Sequence, residues 1–219
     1  MINRDLFEHE HVKHGTHEHY FSRVDVFRGL ASVEAENIIN VIKKTVLKTS
    51  PFRFMLTPGG RKMSASITNC GQVGWVSDQQ GYRYSQSDPY THTAWPSMPE
   101  CLRDLAQRAA LLAGFENFNP DSCIINKYAI GSKMSLHQDK DEQDFTQPIV
   151  SISLGIPAVF EVGGFKRTDK VKRIALFHGD VVVWGGEDRL RFHGILPIKE
   201  NTHPVLKHTR LNITLRHAL

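Results

Sequence analysis

The sequence predicts a mainly β fold with flanking helices (α+β), an antiparallel jelly roll supported by two helices that precede it. Three features lead there. From Cys123 onward, short apolar or alternating runs succeed one another. Turn residues such as Gly131, Gly163-Gly164, Gly179-Asp180 and Gly185-Gly186 separate them. Upstream, two amphipathic stretches carry apolar residues near helical spacing.

The chain opens on a His-rich stretch, 1–22, with His9, His11, His14, His17 and His19. These imidazoles could take up a metal adventitiously. Their spacing has no fixed scaffold, so a mobile surface stretch is expected. Ser32 to Thr49 follows as the first helix, with Val33, Ile38, Val41, Ile42 and Leu47 on its apolar side. Ser32 is the expected N-cap and Pro51 ends the pattern. The second helix is expected from Met98 to Ala113, with Ser97 and Glu100 as a capping box and Gly114 as the stop. Between the helices, 51–96 is rich in Gly, Ser, Thr, Trp and Tyr, and reads as short strands and loops carrying exposed aromatics. The strands of the core fall within 120–219: Cys123–Ile130, Ile149–Gly155, Ala158–Val162, Arg173–Phe177, Asp180–Trp184, His193–Ile198 and Arg210–Leu215.

A length of 219 residues suits one domain. No apolar run reaches the roughly 18 residues of a membrane span, and Met1 to Glu10 is polar, so neither a membrane anchor nor a signal peptide is expected. Cys70, Cys101 and Cys123 lie far apart, which argues against a disulfide framework or a cysteine zinc site and fits a reducing cytoplasm. The net charge of +4 is a mild bias toward a polyanionic partner. Its distribution says more: Lys166, Arg167, Lys170, Lys172 and Arg173 fall within eight positions, and Arg61, Lys62 and Arg83 lie in the Gly-rich stretch. A monomer is the simplest expectation.

The chemistry centres on His137-Gln138-Asp139. In an extended segment residues i and i+2 project to one face, so an imidazole and a carboxylate can reach one metal ion. A second histidine would complete a two-His, one-carboxylate face with open positions for co-substrate and oxygen, the arrangement of an Fe(II) oxygenase. The pattern is weak alone in a chain with 12 histidines. The downstream candidates for the third ligand are His178, His193, His203, His208 and His217. His178 precedes Gly179-Asp180 and reads as a turn residue, whereas His193 starts a strand after a polar loop, so His193 is preferred.

The last strand adds independent support. Alternation puts Arg210, Asn212, Thr214 and Arg216 on one face and Leu211, Ile213 and Leu215 on the other. Two guanidinium groups directed into a barrel mouth are costly without anionic partners, and a bidentate pair with a carboxylate is what an oxo-diacid requires. Asn126 and Tyr128 alternate in the same way, offering an amide and a phenol.

Taken together, Asn126-Lys-Tyr128, His137-Gln-Asp139-Lys-Asp141, Pro148 to Gly155, His178-Gly-Asp-Val-Val-Val-Trp-Gly-Gly186, His193-Gly-Ile195 and Arg210 to Arg216 resemble the AlkB family. The resemblance runs from about Pro51 to Arg216 and includes Thr57-Pro-Gly-Gly60, Thr68-Asn-Cys-Gly71 and Gly74-Trp75. It implies a double-stranded β-helix with a nucleotide-recognition lid over 51–96. It also implies iron on His137, Asp139 and His193, and 2-oxoglutarate held by Arg210 and Tyr128 with Asn126, Asn212 and Arg216 completing the pocket. The damaged base would lie near Trp75 and Tyr82, with Asp141, Arg167, Thr57 and Met63 at matching substrate-contacting positions. The implied activity is oxidative dealkylation of N-alkylated bases in DNA, with RNA as a second candidate. It consumes 2-oxoglutarate and O2 and releases succinate, CO2 and formaldehyde. Arg61-Lys62 makes the lid more basic than the family pattern, and Lys127 stands between two pocket residues; both bear on substrate range. The competing readings are an Fe(II)/2-oxoglutarate hydroxylase of a small molecule or protein side chain, and a binding module with a vestigial site.

Overall fold

The computed structural model describes residues 14–219. Two antiparallel sheets form the body of the molecule. The strands in chain order are β1 His17–Tyr20, β2 Val24–Phe27, β3 Ser66–Gly71, β4 Gly74–Asp78, β5 Gly81–Ser85, β6 Ser122–Tyr128, β7 Met134–His137, β8 Ile149–Gly155, β9 Ala158–Val162, β10 Lys172–Leu176, β11 Val181–Trp184, β12 His193–Ile195 and β13 Arg210–Arg216. The larger sheet has the order β1-β2-β11-β8-β13-β6-β3 and the smaller one β10-β9-β12-β7, while β4 and β5 form a separate hairpin. Every strand expected in the core is present, with ends shifted by a few residues at most.

Each face of the larger sheet has its own partner. Leu211, Ile213 and Leu215 of β13 pack with Cys123, Ile125, Val150, Ile152, Val181 and Val183 against the helices. On the other face, Val24, Val26, Ile149, Val182 and Trp184 meet Phe160, Val162, Ile174 and Ile195 of the smaller sheet. This second core fills only part of the space between the sheets. The rest is lined by polar side chains, and the site lies there. A third, small core of Met55, Ile67, Val76, Trp95 and Ile124 ties the β4–β5 hairpin to β3 and β6. None of the described helices is long and apolar enough to cross a membrane.

The helices depart from expectation at their starts. The first spans α1 Ala35–Val41, a π turn Ile42–Val46 and a last turn α2 Leu47–Thr49. Its N-cap is Glu34, without a side-chain cap bond. Ser32 does not cap it, because Ser32 N–H donates to Gly29 O in a preceding turn that presses against Gly179. Val33 is exposed for the same reason. The π turn resets the apolar face so that Ile38, Ile42 and Val46, four residues apart, are all buried. In α3, Glu100–Leu112, Pro99 is the N-cap, so Glu100 is the first helical residue and the expected capping box with Ser97 does not form. Gly114 does end it: its φ is +76°, and Gly114 N–H reaches Leu111 O while Phe115 N–H reaches Ala110 O.

The N-terminal histidines divide. His9 and His11 lie outside the described residues. His17 and His19 are not on a loose stretch, since they form edge strand β1 against β2 and both hydrogen-bond Asp25 Oδ1, at 2.7 and 2.9 Å. Arg28 secures this edge. Its guanidinium donates to Glu18 and, at 2.7 Å, to the fully buried Asp180, which also accepts from Gly29 N–H and Phe177 N–H. Removing one partner of a buried pair strands the other charge. Asp180→Ala is therefore expected to lower stability by about 3–5 kcal/mol in denaturant unfolding; an unchanged midpoint would refute this role.

Candidate active site

Register between two short strands builds the centre. β12 pairs with β7 so that His193 lies directly opposite His137. Gly194 permits this approach, since a Cβ there would come within 2.7 Å of Met134 O. Asp139 follows two residues after β7 ends and turns back between the imidazoles. His137 Nε2 lies 3.6 Å from Asp139 Oδ1, and His193 Nε2 lies 3.4 Å from Asp139 Oδ2. One ligand atom from each residue falls within 4.8 Å of the others, and this is the only such group of three found among the described residues.

The hydrogen bonds behind the rings decide which nitrogen faces the centre. His137 Nδ1 is 2.9 Å from Ser135 O, and His193 Nδ1 is 3.0 Å from Arg191 O. A carbonyl oxygen can only accept, so each Nδ1 carries the proton and each Nε2 turns a lone pair toward Asp139. Desolvation, with His193 beside it, pulls the His137 imidazole down to about 4 and keeps it neutral. Burial pushes Asp139 up, but Arg216 and the two imidazoles outweigh it and hold the carboxyl well below the usual carboxylate range. Two imidazoles turned by their Nε2 atoms toward one carboxylate are a divalent-metal donor set with positions to spare.

Arg216, expected in the co-substrate pocket, hydrogen-bonds Asp139 Oδ2 at 2.5 Å and Tyr84 Oη at 3.2 Å. Tyr84 in turn donates to Glu142 at 2.7 Å, and Glu142 pairs with Arg189 at 3.1 Å. Arg189 closes the ring by donating to Asp139 O at 2.8 Å. Sequence reasoning missed Tyr84, Glu142 and Arg189. Tyr84 could have been found as the strand neighbour, two residues on, of Tyr82. Glu142 reads as a surface acid beside Asp144, yet it is buried.

Arg210 sits in different company. It is almost fully buried, and only one of its three nitrogens has a partner: Nη2 donates to Ser153 Oγ at 3.0 Å, while Nε and Nη1 have none. Burial pushes its guanidinium down to about 10, still charged at neutral pH. Tyr128 and Asn126 of β6 stand directly opposite Arg210 and Asn212 of β13. The Arg210 guanidinium lies over the Tyr128 ring at 5.4 Å, and Asn212 donates to Ser151 Oγ at 2.7 Å. All four sequence-predicted residues thus share one patch. Ser151 and Ser153, which the alternation of β8 could have revealed, line its other side. An orphaned buried cation of this kind requires an anion, and its free donors suit a carboxylate.

The residues expected to contact substrate divide between the β4–β5 hairpin with its approaches and the β9–β10 loop. Trp75 on β4 and Tyr82 on β5 are stacked, with ring centroids 5.6 Å apart and planes 13° from parallel. Trp75 Nε1–H donates to Asp141 Oδ2 at 2.9 Å, joining the hairpin to the segment that carries Asp139. Thr57 starts a tight turn, accepting from Arg61 N–H at 3.1 Å, and Met63 packs against the small lid core. Arg167 lies apart from the lid, donating to Leu136 O beside His137, with Phe192 beneath it at 5.2 Å.

Comparisons with known proteins agree with this geometry. The sequence profile of the 2OG-Fe(II) oxygenase superfamily matches residues 24–216. The chain is 54% identical over 193 residues to the alpha-ketoglutarate-dependent dioxygenase AlkB of Escherichia coli K12, covering 88% of this chain and 89% of that one. It is 32% identical over 125 residues to the nucleic acid dioxygenase ALKBH1 of Mus musculus, a match of 57% of this chain and 32% of the relative. The solved structure of OsALKBH1 superposes with a TM-score of 0.81 at 27% identity, over 92% of this chain and all of that one. A three-ligand face, an inward cation beside it and a match along nearly the whole length of both chains lead to one conclusion: this protein belongs to the 2OG-Fe(II) oxygenase superfamily and, within it, to the AlkB family of dioxygenases.

Proposed function

We propose that the protein oxidatively dealkylates N-alkylated bases, such as 1-methyladenine and 3-methylcytosine, in DNA and, as a second class, RNA, acting as a cytoplasmic monomer. The observation that carries this reading is the stacked Trp75–Tyr82 pair, held at its edge by Asp141 two residues from Asp139. A small-molecule hydroxylase has no evident use for a half-exposed aromatic stack beside its metal loop. When bound, Fe(II), 2-oxoglutarate and O2 supply the oxidising chemistry: the co-substrate leaves as succinate and CO2, and the alkyl carbon as an aldehyde, formaldehyde for a methyl group.

The chain's own residues divide the remaining work. His137, Asp139 and His193 hold the metal by Nε2 and carboxylate oxygens, leaving three positions of an octahedron open. Arg216 and Arg189 hold Asp139 in place, so that metal uptake does not require the carboxylate to reorient. Arg210 offers its unpartnered guanidinium donors to the distal carboxylate of 2-oxoglutarate, with Tyr128, Asn126 and Asn212 around it. A base must leave the duplex to reach this centre, which costs a few kcal/mol, and less when alkylation has already spoiled its pairing edge. Stacking with Trp75 and Tyr82 returns part of that cost. Methylation at adenine N1 or cytosine N3 makes the base cationic, and Asp141 favours it electrostatically. Thr57, Met63 and Arg167 hold the flanking strand, with Arg167 on phosphate and so indifferent to sequence.

Three outcomes are expected. His137→Ala, Asp139→Ala and His193→Ala each reduce formaldehyde release from a methylated oligonucleotide to background. Succinate release with a small-molecule acceptor, and no methyl loss from any oligonucleotide by the unaltered chain, would favour the hydroxylase reading instead. Arg210→Ala raises the KM for 2-oxoglutarate by about 10- to 100-fold, the worth of charge-assisted hydrogen bonds; unchanged co-substrate kinetics would remove its assigned role. Asp141→Asn lowers the preference for cationic 1-methyladenine over a neutral N-alkyl base by about tenfold in competition assays. A preserved ratio there would show that Asp141 acts only on the Trp75 indole.

A further inference from the structure

The loop joining β9 to β10, residues 163–171, carries a side chain that the base pocket does not use. Phe165 projects there with 52% of its surface exposed, among the exposed Lys166, Arg167 and Lys170. A scattered exposed apolar residue needs no explanation. One mounted rigidly among cations calls for one.

Three contacts make the mount rigid. Gly163 N–H donates to Phe192 O at 2.7 Å and Phe192 N–H to Gly164 O at 2.9 Å, which stitches the loop to the residue before His193. Beyond Phe165 the chain closes a tight turn: Lys166 N–H donates to Asp169 Oδ2 at 2.9 Å and Asp169 N–H to Lys166 O at 3.0 Å. That turn folds so closely over Gly164 that a Cβ there would meet Asp169 Oδ2 at 2.2 Å. Finally, the Arg191 guanidinium lies over the Phe165 ring at 4.9 Å and is itself fixed by hydrogen bonds to Asp188 and Gly163 O. A cation backs the ring, and half the side chain remains in solvent.

Position decides what such a ring can meet. Val162 pairs directly with His193, and Phe165 lies three residues further on, at most about 11 Å of chain. Stacked bases repeat about every 3.4 Å along a strand. Phe165 is therefore within reach of a base no more than about three nucleotides from one held at the metal centre. The surrounding positive charge selects a polyanion over an apolar peptide.

On the nucleic-acid reading above, we propose that Phe165 is a stacking platform for an unpaired base within three nucleotides of the alkylated one, with Lys166 and Lys170 on the flanking phosphates. Aromatic stacking is tolerant of sequence and phosphate contacts are blind to it. The platform therefore adds affinity for an unstacked strand without narrowing the choice of lesion context.

The test uses the full chain loaded with Fe(II) and 2-oxoglutarate without oxygen, and methylated oligonucleotides carrying 2-aminopurine at each of three positions on either side of the lesion. Stacking on Phe165 quenches the probe at one position. Phe165→Ala restores fluorescence there and, with oxygen admitted, raises the KM for the oligonucleotide about tenfold, within the range that stacking on an aromatic supplies. Phe165→Trp keeps the quenching. Replacing Lys166 and Lys170 by Ala flattens the salt dependence of binding by about two phosphate contacts and leaves the quenched position where it was. Equal fluorescence at every position, with equal KM, for the unaltered chain and Phe165→Ala would overturn the proposal. If the unaltered chain dealkylates none of these oligonucleotides, the functional reading beneath it falls instead.

Discussion

Two guanidinium groups buried on the inner face of β13 set the terms for everything around them. Taking one such charge out of water costs several kcal/mol, which only well-placed anions and acceptors offset. Arg216 finds its anions within the protein, in Asp139 and, at 3.4 Å, Glu142, and Tyr84 and Arg189 link the two acids. Arg210, six residues away on the same face, has a serine hydroxyl and an aromatic ring but no carboxylate. This difference divides the inner face of β13 into an end whose cation is paired within the protein and an end whose cation is not. The metal-ligand set lies at the paired end, and its carboxylate is already aimed.

Much of this was legible in the chain because β-strand geometry writes itself at period two. Arg210-Leu-Asn-Ile-Thr-Leu-Arg216 separates cleanly into a polar and an apolar face, and the structure buries both, one against helices and one against the site. His137, Asp139 and His193 were legible as residue types, but their convergence depends on pairing β7 with β12, strands more than fifty residues apart. No local pattern encodes that register. The charged ring behind Asp139 was illegible for a related reason. Glu142 and Arg189 look like solvated loop residues until the fold closes over them.

The N-terminal half was harder to read. Edge strand β1, His17–Tyr20, has no apolar pattern at all, because an edge strand with one face in water needs none. Its partner β2, Val24–Phe27, is buried on both faces, so Asp25 looks like an interruption when it is the anchor of two histidines. The first helix was located but misphased. Ile38, Ile39, Val41, Ile42, Val46 and Leu47 offer more apolar residues than one face can hold, and a π turn, wider by one residue, selects among them. The start of α3 was misread because Ser97 and Glu100 have the right spacing for a cap, while Pro99 between them fixes where the helix begins.

The two-faced sheet also determines where sulfur sits. Cys70 on β3 and Cys123 on β6 are directly opposite one another and fully buried, both on the helix-facing side. The Cys70 thiol beside it, together with burial, holds the Cys123 thiol well above its ordinary range, so it stays protonated. Thiolates, not thiols, are the form that oxidants attack. One residue along the strand, at Ile124, the chain faces the other way, and a register slip of one would turn these sulfurs out of the helix-facing core. The alternation that places Asn126 and Tyr128 beside Asn212 and Arg210 therefore keeps the two thiols on the other side of the β-sheet from the His137–Asp139–His193 cluster.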